Sequence, residues 1–271
     1  MSVTVRFRDL SLPAAERTEL LGLIDSLMRE GDLILGDPVE QFEAEFSRRC
    51  RQTHSIGLSD GTAAVYLSLR ALGVGPGDEV ITTPMSWLAT GNAILALGAT
   101  PVFADVTDDF NVDPVAVGAA VTSRTKAVLP VHFYGRMARM DDIVAIAERH
   151  SLVVIEDASQ AFGADLDGGP AGSFGDAAAF SLNPMKPLAA LGEAGAAVTP
   201  HVEVAERIRS LRYLGTINRE TCVDPSLNFK IDTMQAVILQ YRMKQLDRIV
   251  AARNRVAQRY RQALEDVVIV P

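Results

Sequence analysis

The sequence predicts an α/β protein: a mostly parallel, seven-stranded sheet with helices on both faces. Two observations predict it. Short apolar runs alternate with helix-length stretches from Ser55 to Thr199, and seven such runs can be counted there. That alternation is the pattern of a parallel sheet covered on both sides. The composition supplies the core such a sheet needs, with 48% hydrophobic and 22% charged residues in a chain of 271.

Each element has its own signal. Pro13–Arg29 reads as a helix because Leu20, Leu21, Ile24 and Leu27 recur at helical spacing, and Val39–Arg49 because Phe42 and Phe46 do. Gly31, Gly36 and Pro38 mark the loop between them. Ser55–Leu58 is a strand, and Ala63–Leu72 a helix stopped by Gly73. After the turn Gly75–Asp78 come the strand Glu79–Thr82, the helix Trp87–Leu97 and the strand Pro101–Ala104. The helix Asp113–Val121 and strand Lys126–Pro130 follow, then the helix Asp141–His150 and the strand Leu152–Ile155, which ends in Glu156-Asp157. Ala177–Ser181 and Ala196–Thr199 complete the seven strands, and Val202–Leu214 is an amphipathic helix. Gly215–Phe229 is polar and irregular, a long loop of the kind that is functional or mobile. Ile231–Val267 reads as one or two long helices, and Val268–Pro271 as the start of a strand.

The formal net charge of -8 argues against sequence-independent nucleic-acid binding, which needs a basic footprint. An anionic substrate would be held by local donors. Cys50 and Cys222 suggest neither a disulfide framework nor a metal cluster. The N-terminus lacks an apolar signal core and no run approaches a membrane span, so a cytoplasmic protein is expected.

In an open parallel sheet, ligands bind beyond the carboxyl ends of the strands. Three candidates fall there. Ser59-Asp60-Gly61-Thr62 precedes a helix: Gly61 allows close backbone approach, Thr62 has a hydroxyl, and the helix terminus has spare amides. That is a phosphate cradle, or Ser59 or Asp60 is an ordinary helix cap. Glu156-Asp157 can bind a ribose hydroxyl, a metal or a protonated heterocyclic nitrogen, or be a solvated strand end, and Gln160 can add an amide to the same place. Lys186 is the only ionisable side chain between Asp176 and Glu193, in apolar and turn-forming surroundings. Desolvation makes such an amine a nucleophile toward carbonyls, and the alternative is a snorkelling surface lysine. Ser181, five residues earlier, offers another hydroxyl. A phosphate cradle, a strand-end carboxylate and a lysine together form the inventory for pyridoxal phosphate (PLP). Trp87, the single tryptophan, either stacks on that ring or sits in the core.

The sequence resembles the DegT/StrS-type aminotransferases, PLP enzymes of the aspartate aminotransferase fold that act on keto sugars and related cyclitols. The resemblance runs from about Gly36 to the end of the chain. It rests on Ser59-Asp60-Gly61-Thr62, Gly75-Pro76-Gly77-Asp78-Glu79-Val80, Pro84-Met85-Ser86-Trp87-Leu88-Ala89-Thr90 and Gly98-Ala99-Thr100-Pro101-Val102-Phe103. Further on it rests on Pro130-Val131-His132-Phe133-Tyr134-Gly135, on Ile155 to Gly163, and on Ser181 to Lys186 followed by Gly192-Glu193-Ala194-Gly195.

The resemblance implies that Lys186 forms the internal aldimine and later shuttles a proton, and that Asp157 pairs with the pyridine nitrogen. It places Gln160 near ring and substrate and Trp87 on the ring, and gives the phosphate to Gly61, Thr62 and Ser181. Asn228 resembles the asparagine that reaches the phosphate of a neighbouring subunit, which implies a homodimer with shared sites. Lys230 stands where the family commonly has Arg. Lysine rather than histidine at 186 implies transamination rather than the dehydration of related enzymes. The implied reaction moves an amino group from an amino acid, glutamate, to a keto sugar, with a nucleotide-linked one favoured. Residues 1–230 are expected to form the PLP-binding large domain. Residues 231–271 are long helices leading toward a C-terminal small domain expected to be largely missing. The alternative function is a truncated, non-catalytic partner or regulatory subunit.

Overall fold

The computed structural model describes residues 9–268. Helices α1 (Ala14–Glu30) and α2 (Asp37–Arg49) lead into β1 (His54–Leu58) and α3 (Gly61–Ala71). Then come β2 (Glu79–Thr82), α4 (Leu88–Ala96), β3 (Thr100–Phe103), α5 (Pro114–Ala119), β4 (Thr125–Val128), α6 (Met140–His150) and β5 (Val153–Asp157). A two-residue ribbon, β6 (Asp165–Leu166) with β7 (Gly169–Pro170), precedes β8 (Ala177–Ser181), β9 (Gly195–Thr199) and α7 (Val202–Arg212). A second ribbon, β10 (Thr216–Ile217) with β11 (Thr221–Cys222), precedes α8 (Thr233–Met243) and α9 (Leu246–Leu264).

The central sheet has seven strands in the order β1-β9-β8-β5-β4-β2-β3. β9 runs antiparallel to both neighbours, and the other pairings are parallel. The expected fold class is therefore the observed one. Alternate side chains of each strand feed two cores. Ile81, Val128 and Phe180 face α2, α6 and α8, while Val80, Ala127 and Ala179 face α3, α4 and α7. The first core is built on aromatics. Phe46 stacks on Phe162 with ring centres 4.5 Å apart and meets Phe180 edge-on at 5.1 Å. Phe46 and Phe180 are fully buried, and truncating such a ring costs roughly 3–5 kcal/mol.

The segment expected to be one or two helices after Ile231 is two, α8 and α9. The expected loop Gly215–Phe229 contains the second ribbon and is pinned rather than loose. Asp224 pairs with Arg70 at 2.5 Å and with Arg207 at 3.4 Å, and Arg70 also donates to the Pro225 carbonyl at 2.8 Å. Residues 269–271, most of the strand expected at the end, lie outside the described residues. Among the described residues no helix is long and apolar enough to cross a membrane.

Candidate active site

At the carboxyl ends of β1, β5 and β8 the structure opens a cavity of about 750 Å³. Gly61, Thr62, Trp87, Asp157, Gln160, Ser181 and Lys186 all line it. Asn228 does not.

The two carboxylates ending β5 part company, as strand alternation requires. Glu156 is fully buried and accepts from His132 Nε2 at 2.9 Å and from the amides of Gly172, Phe174 and Gly175 at 2.8–2.9 Å. His132 Nδ1 accepts from the Ala138 amide at 3.2 Å, so this bonding assigns a neutral ring carrying its proton on Nε2. Burial pushes the Glu156 carboxyl up, but the hydrogen bonds from His132, Gly175 and Gly172 outweigh it and leave the group below the ordinary glutamate value. Every lone pair of Glu156 is used in the fold. Asp157, 3% exposed, has less support. Its Oδ2 accepts from Thr90 Oγ1 at 2.7 Å and its Oδ1 from the Ser159 amide at 3.2 Å. It retains acceptor capacity toward the cavity it borders.

The helix-cap reading of Ser59–Thr62 is the one the bonding shows, and it leaves amides spare at the same helix end. Asp60 caps α3 by accepting from the Ala63 amide at 2.8 Å, and Ser59 Oγ donates to Asp60 Oδ2 at 2.8 Å. With Ala64 bonded to the Asp60 carbonyl, the amides of Gly61 and Thr62 are the helix-terminal donors beside the cavity. Gly61 is required for a reason its position in the sequence does not show. A Cβ there would lie 2.5 Å from Ser181 Cβ, and one at Gly195 would lie 2.2 Å from the Asp60 carbonyl oxygen. These two glycines let the start of α3 sit on the ends of β8 and β9, which brings Thr62 and Ser181 into one wall.

Lys186 is half-buried, in a turn where its amide donates to the Asn183 carbonyl at 2.9 Å. Asn183 Oδ1 accepts from the Met185 amide at 3.0 Å, and Asn183 Nδ2 donates to Glu193 at 2.6 Å. Trp87 is 76% exposed on the cavity rim, so the core alternative for it fails. Gln160 Oε1 accepts from the Tyr134 amide at 3.0 Å, and Tyr134 takes a left-handed backbone at φ 50°. Asn228 is exposed and its Oδ1 accepts from the Lys230 amide at 3.3 Å. The Lys230 ammonium sits 4.0 Å from the centre of the Tyr213 ring. Burial, with the charges of Arg212 and Arg219, pushes it below the usual lysine value.

Thr90 and Ser86 have no assigned role in the sequence reading. Since Thr90 Oγ1 gives its one hydrogen to Asp157, Ser86 Oγ is the donor in the 2.7 Å contact between the two hydroxyls. For Thr90 the signal was a hydroxyl residue inside the apolar helix Leu88–Ala96.

This donor set fits a phosphorylated pyridine aldehyde. A buried carboxylate suits a protonated ring nitrogen, helix-terminal amides and hydroxyls suit a phosphate, and a lysine amine suits an aldehyde.

The sequence profile of the DegT/DnrJ/EryC1/StrS aminotransferase family matches residues 14–271. The chain is 44% identical over 253 residues to a pleiotropic regulatory protein of Geobacillus stearothermophilus, covering 93% of this chain and 68% of that one. It is 43% identical over 258 residues to the dTDP-3-amino-3,4,6-trideoxy-alpha-D-glucose transaminase of Micromonospora megalomicea subsp. nigra, covering 93% and 68%. The crystal structure of DesV from S. venezuelae in complex with a ketimine intermediate superposes with a TM-score of 0.90 at 40% identity, covering 92% of this chain and 68% of that one. The cofactor of the family is PLP, and similar solved structures hold its amine form. The chain belongs to the DegT/DnrJ/EryC1/StrS aminotransferase family.

Proposed function

We propose that this aminotransferase moves an amino group from glutamate to a nucleotide-linked keto sugar. One observation carries the reading: Gly61, Thr62, Trp87, Asp157, Gln160, Ser181 and Lys186 meet in one cavity, although they span 126 positions of sequence (186 minus 61, plus one). The sugar class rests on relatives named as dTDP- and UDP-sugar aminotransferases.

When bound, PLP supplies an aldehyde that takes up the amino group and a ring that stores the electron pair left when a C–H bond breaks. The residues of this chain do the rest. The amides of Gly61 and Thr62, with the Thr62 and Ser181 hydroxyls, would hold the phosphate. Asp157, oriented by Thr90, would keep a proton on the ring nitrogen. Trp87 would cover the ring, and Gln160 would border ring and substrate. Lys186 Nζ would be the amine that holds the aldehyde and the base that takes the proton from the donor Cα.

The shared-site homodimer is part of the proposal. Asn228 is exposed and does not line its own cavity, which suits a contact across a subunit boundary. Trp87 and Leu88 are 76% and 74% exposed beside the cavity mouth, which suits a face covered by a second copy. We also place residues 1–230 in the cofactor-binding domain and 231–271 in the helices that lead from it. α8 still packs on the first core through Ala236, Leu239 and Met243, and α9 is exposed beyond Ala252.

Purified protein given PLP should develop a visible absorption band that Lys186→Ala lacks. Glutamate should then bleach it and yield one 2-oxoglutarate per site. A wild-type protein that stays colourless contradicts the proposal.

A further inference from the structure

The connection from β8 to β9 carries Lys186, and its two halves are held differently. The inner half is tied to the sheet ends: the Leu182 amide donates to the Ala194 carbonyl at 2.8 Å and the Ala190 amide to the Leu182 carbonyl at 2.7 Å. The outer half is gripped at Ala189 and Leu191 by side chains from α8. Gln235 Oε1 accepts from the Leu191 amide at 2.9 Å, and its Nε2 donates to the Leu191 carbonyl at 3.3 Å. One side-chain amide thus pairs with both polar groups of one residue, as a sheet neighbour would. Two turns later on the same helix, Arg242 Nη1 donates to the Ala189 carbonyl at 2.6 Å. The Arg242 guanidinium is nine-tenths buried, and its Nε and Nη2 are fixed by Glu16 of α1 at 3.1 Å.

We propose that Gln235 and Arg242 are positioning residues for Lys186. They act through the backbone of Ala189 and Leu191. This rests on Lys186 being the residue that attaches the cofactor. The physical case is one of substitution. A loop leaving the end of a strand loses its ladder partners, and its partly buried backbone groups need others. Here a helix packed on α2 supplies them as side chains. Gly192 belongs to the same device. It adopts φ +153°, and a Cβ there would press on Gln235 Nε2 at 3.0 Å, so a side chain would push the clamp away. Misplacing a reacting amine by about 1 Å costs on the order of 10²-fold in rate, which is the margin such a clamp protects.

The test uses Gln235→Leu, which keeps the volume and removes both bonds, and Gln235→Glu, which keeps the acceptor and loses the donor. Two readouts are followed in wild type and variants. One is amide hydrogen exchange in the cofactor-free protein. The other is the pH at which the visible band of the PLP-loaded protein titrates. A positioning role predicts that exchange quickens not only at Leu191, which loses its partner, but also at Ala190 and Lys186, by roughly tenfold in Gln235→Leu. It predicts a shifted titration midpoint, with Gln235→Glu in between. Arg242→Met should move the same two readouts the same way. Faster exchange at Leu191 alone, with Lys186 and the midpoint unmoved, overturns the inference. So does faster exchange spread evenly over β8 and β9, which marks general loosening. If Gln235→Leu fails to fold, Gln235→Glu decides by the same two readouts. A wild-type protein without a band overturns the assignment of Lys186 itself, and the inference with it.

Discussion

Along β5, Glu156 accepts from four donors and is fully buried, while the next residue, Asp157, accepts from two and borders the cavity. The two share a charge, a strand and a depth below the surface. They differ in how much of the carboxylate the fold has already used. A carboxylate whose lone pairs are spent on a histidine and three amides binds nothing further. It ties the loop at Gly172–Gly175 and the His132 segment to the strand. A carboxylate held on one side by Thr90 and left with capacity on the other is oriented for a ligand. Saturation rather than charge separates the structural group from the proposed site group.

Three substitutions and one pH titration sharpen that contrast. Glu156→Gln should have the largest effect on stability. It sets an amide against donors that need an acceptor, at a fully buried position, and should cost about 3–5 kcal/mol in urea unfolding. Asp157→Asn should show the reverse profile. Its unfolding midpoint should change little, while transamination falls roughly 10²–10³-fold, the usual loss when one preorganised electrostatic partner of a reacting centre is removed. If the two substitutions have similar profiles, the contrast fails. Thr90→Val should sit lower on the same axis, with a loss of roughly tenfold in kcat/KM, since it removes one bond to a charged group and keeps the shape. The smallest effect is on pH dependence. Glu156 in the folded protein lies below the ordinary value of 4.5, so its stabilising share is present above 4.5 and lost as pH falls through the folded value. Unfolding free energy followed from pH 6 downward should therefore fall less steeply in Glu156→Gln than in wild type.

Much of this was legible in the sequence. Local signals marked the strands, and β2 and β8 begin and end where apolar runs meet turn formers. α3 starts at Gly61, two residues before its apolar run, because Asp60 caps it from outside. Strand order was not legible. Nothing local to Gly195–Thr199 indicates that it runs against its neighbours, because that direction is set by how the Lys186 connection turns back. Except for Asn228, the residues expected at the cofactor line the cavity, since strand ends in a parallel sheet point to one edge. Thr90 was missed because a hydroxyl in an apolar helix looks like tolerated polarity until its partner, 67 positions away, is placed beside it, and Ser86 because its part is to bond Thr90. The parting of Glu156 and Asp157 was legible in principle from the two-residue period of a strand. The grip of Gln235 and Arg242 was not, because it depends on the register between α8 and a loop more than 40 residues earlier.

The central claim is that Lys186, across the cavity from a ligand-ready Asp157, is where PLP attaches. The most direct measurement is borohydride reduction of the PLP-loaded protein followed by peptide mapping, since hydride converts the carbon–nitrogen double bond to a stable amine. A single pyridoxyl label on Lys186 is expected in wild type and none in Lys186→Ala. A label on another lysine, or a wild-type protein that takes up none, would contradict it.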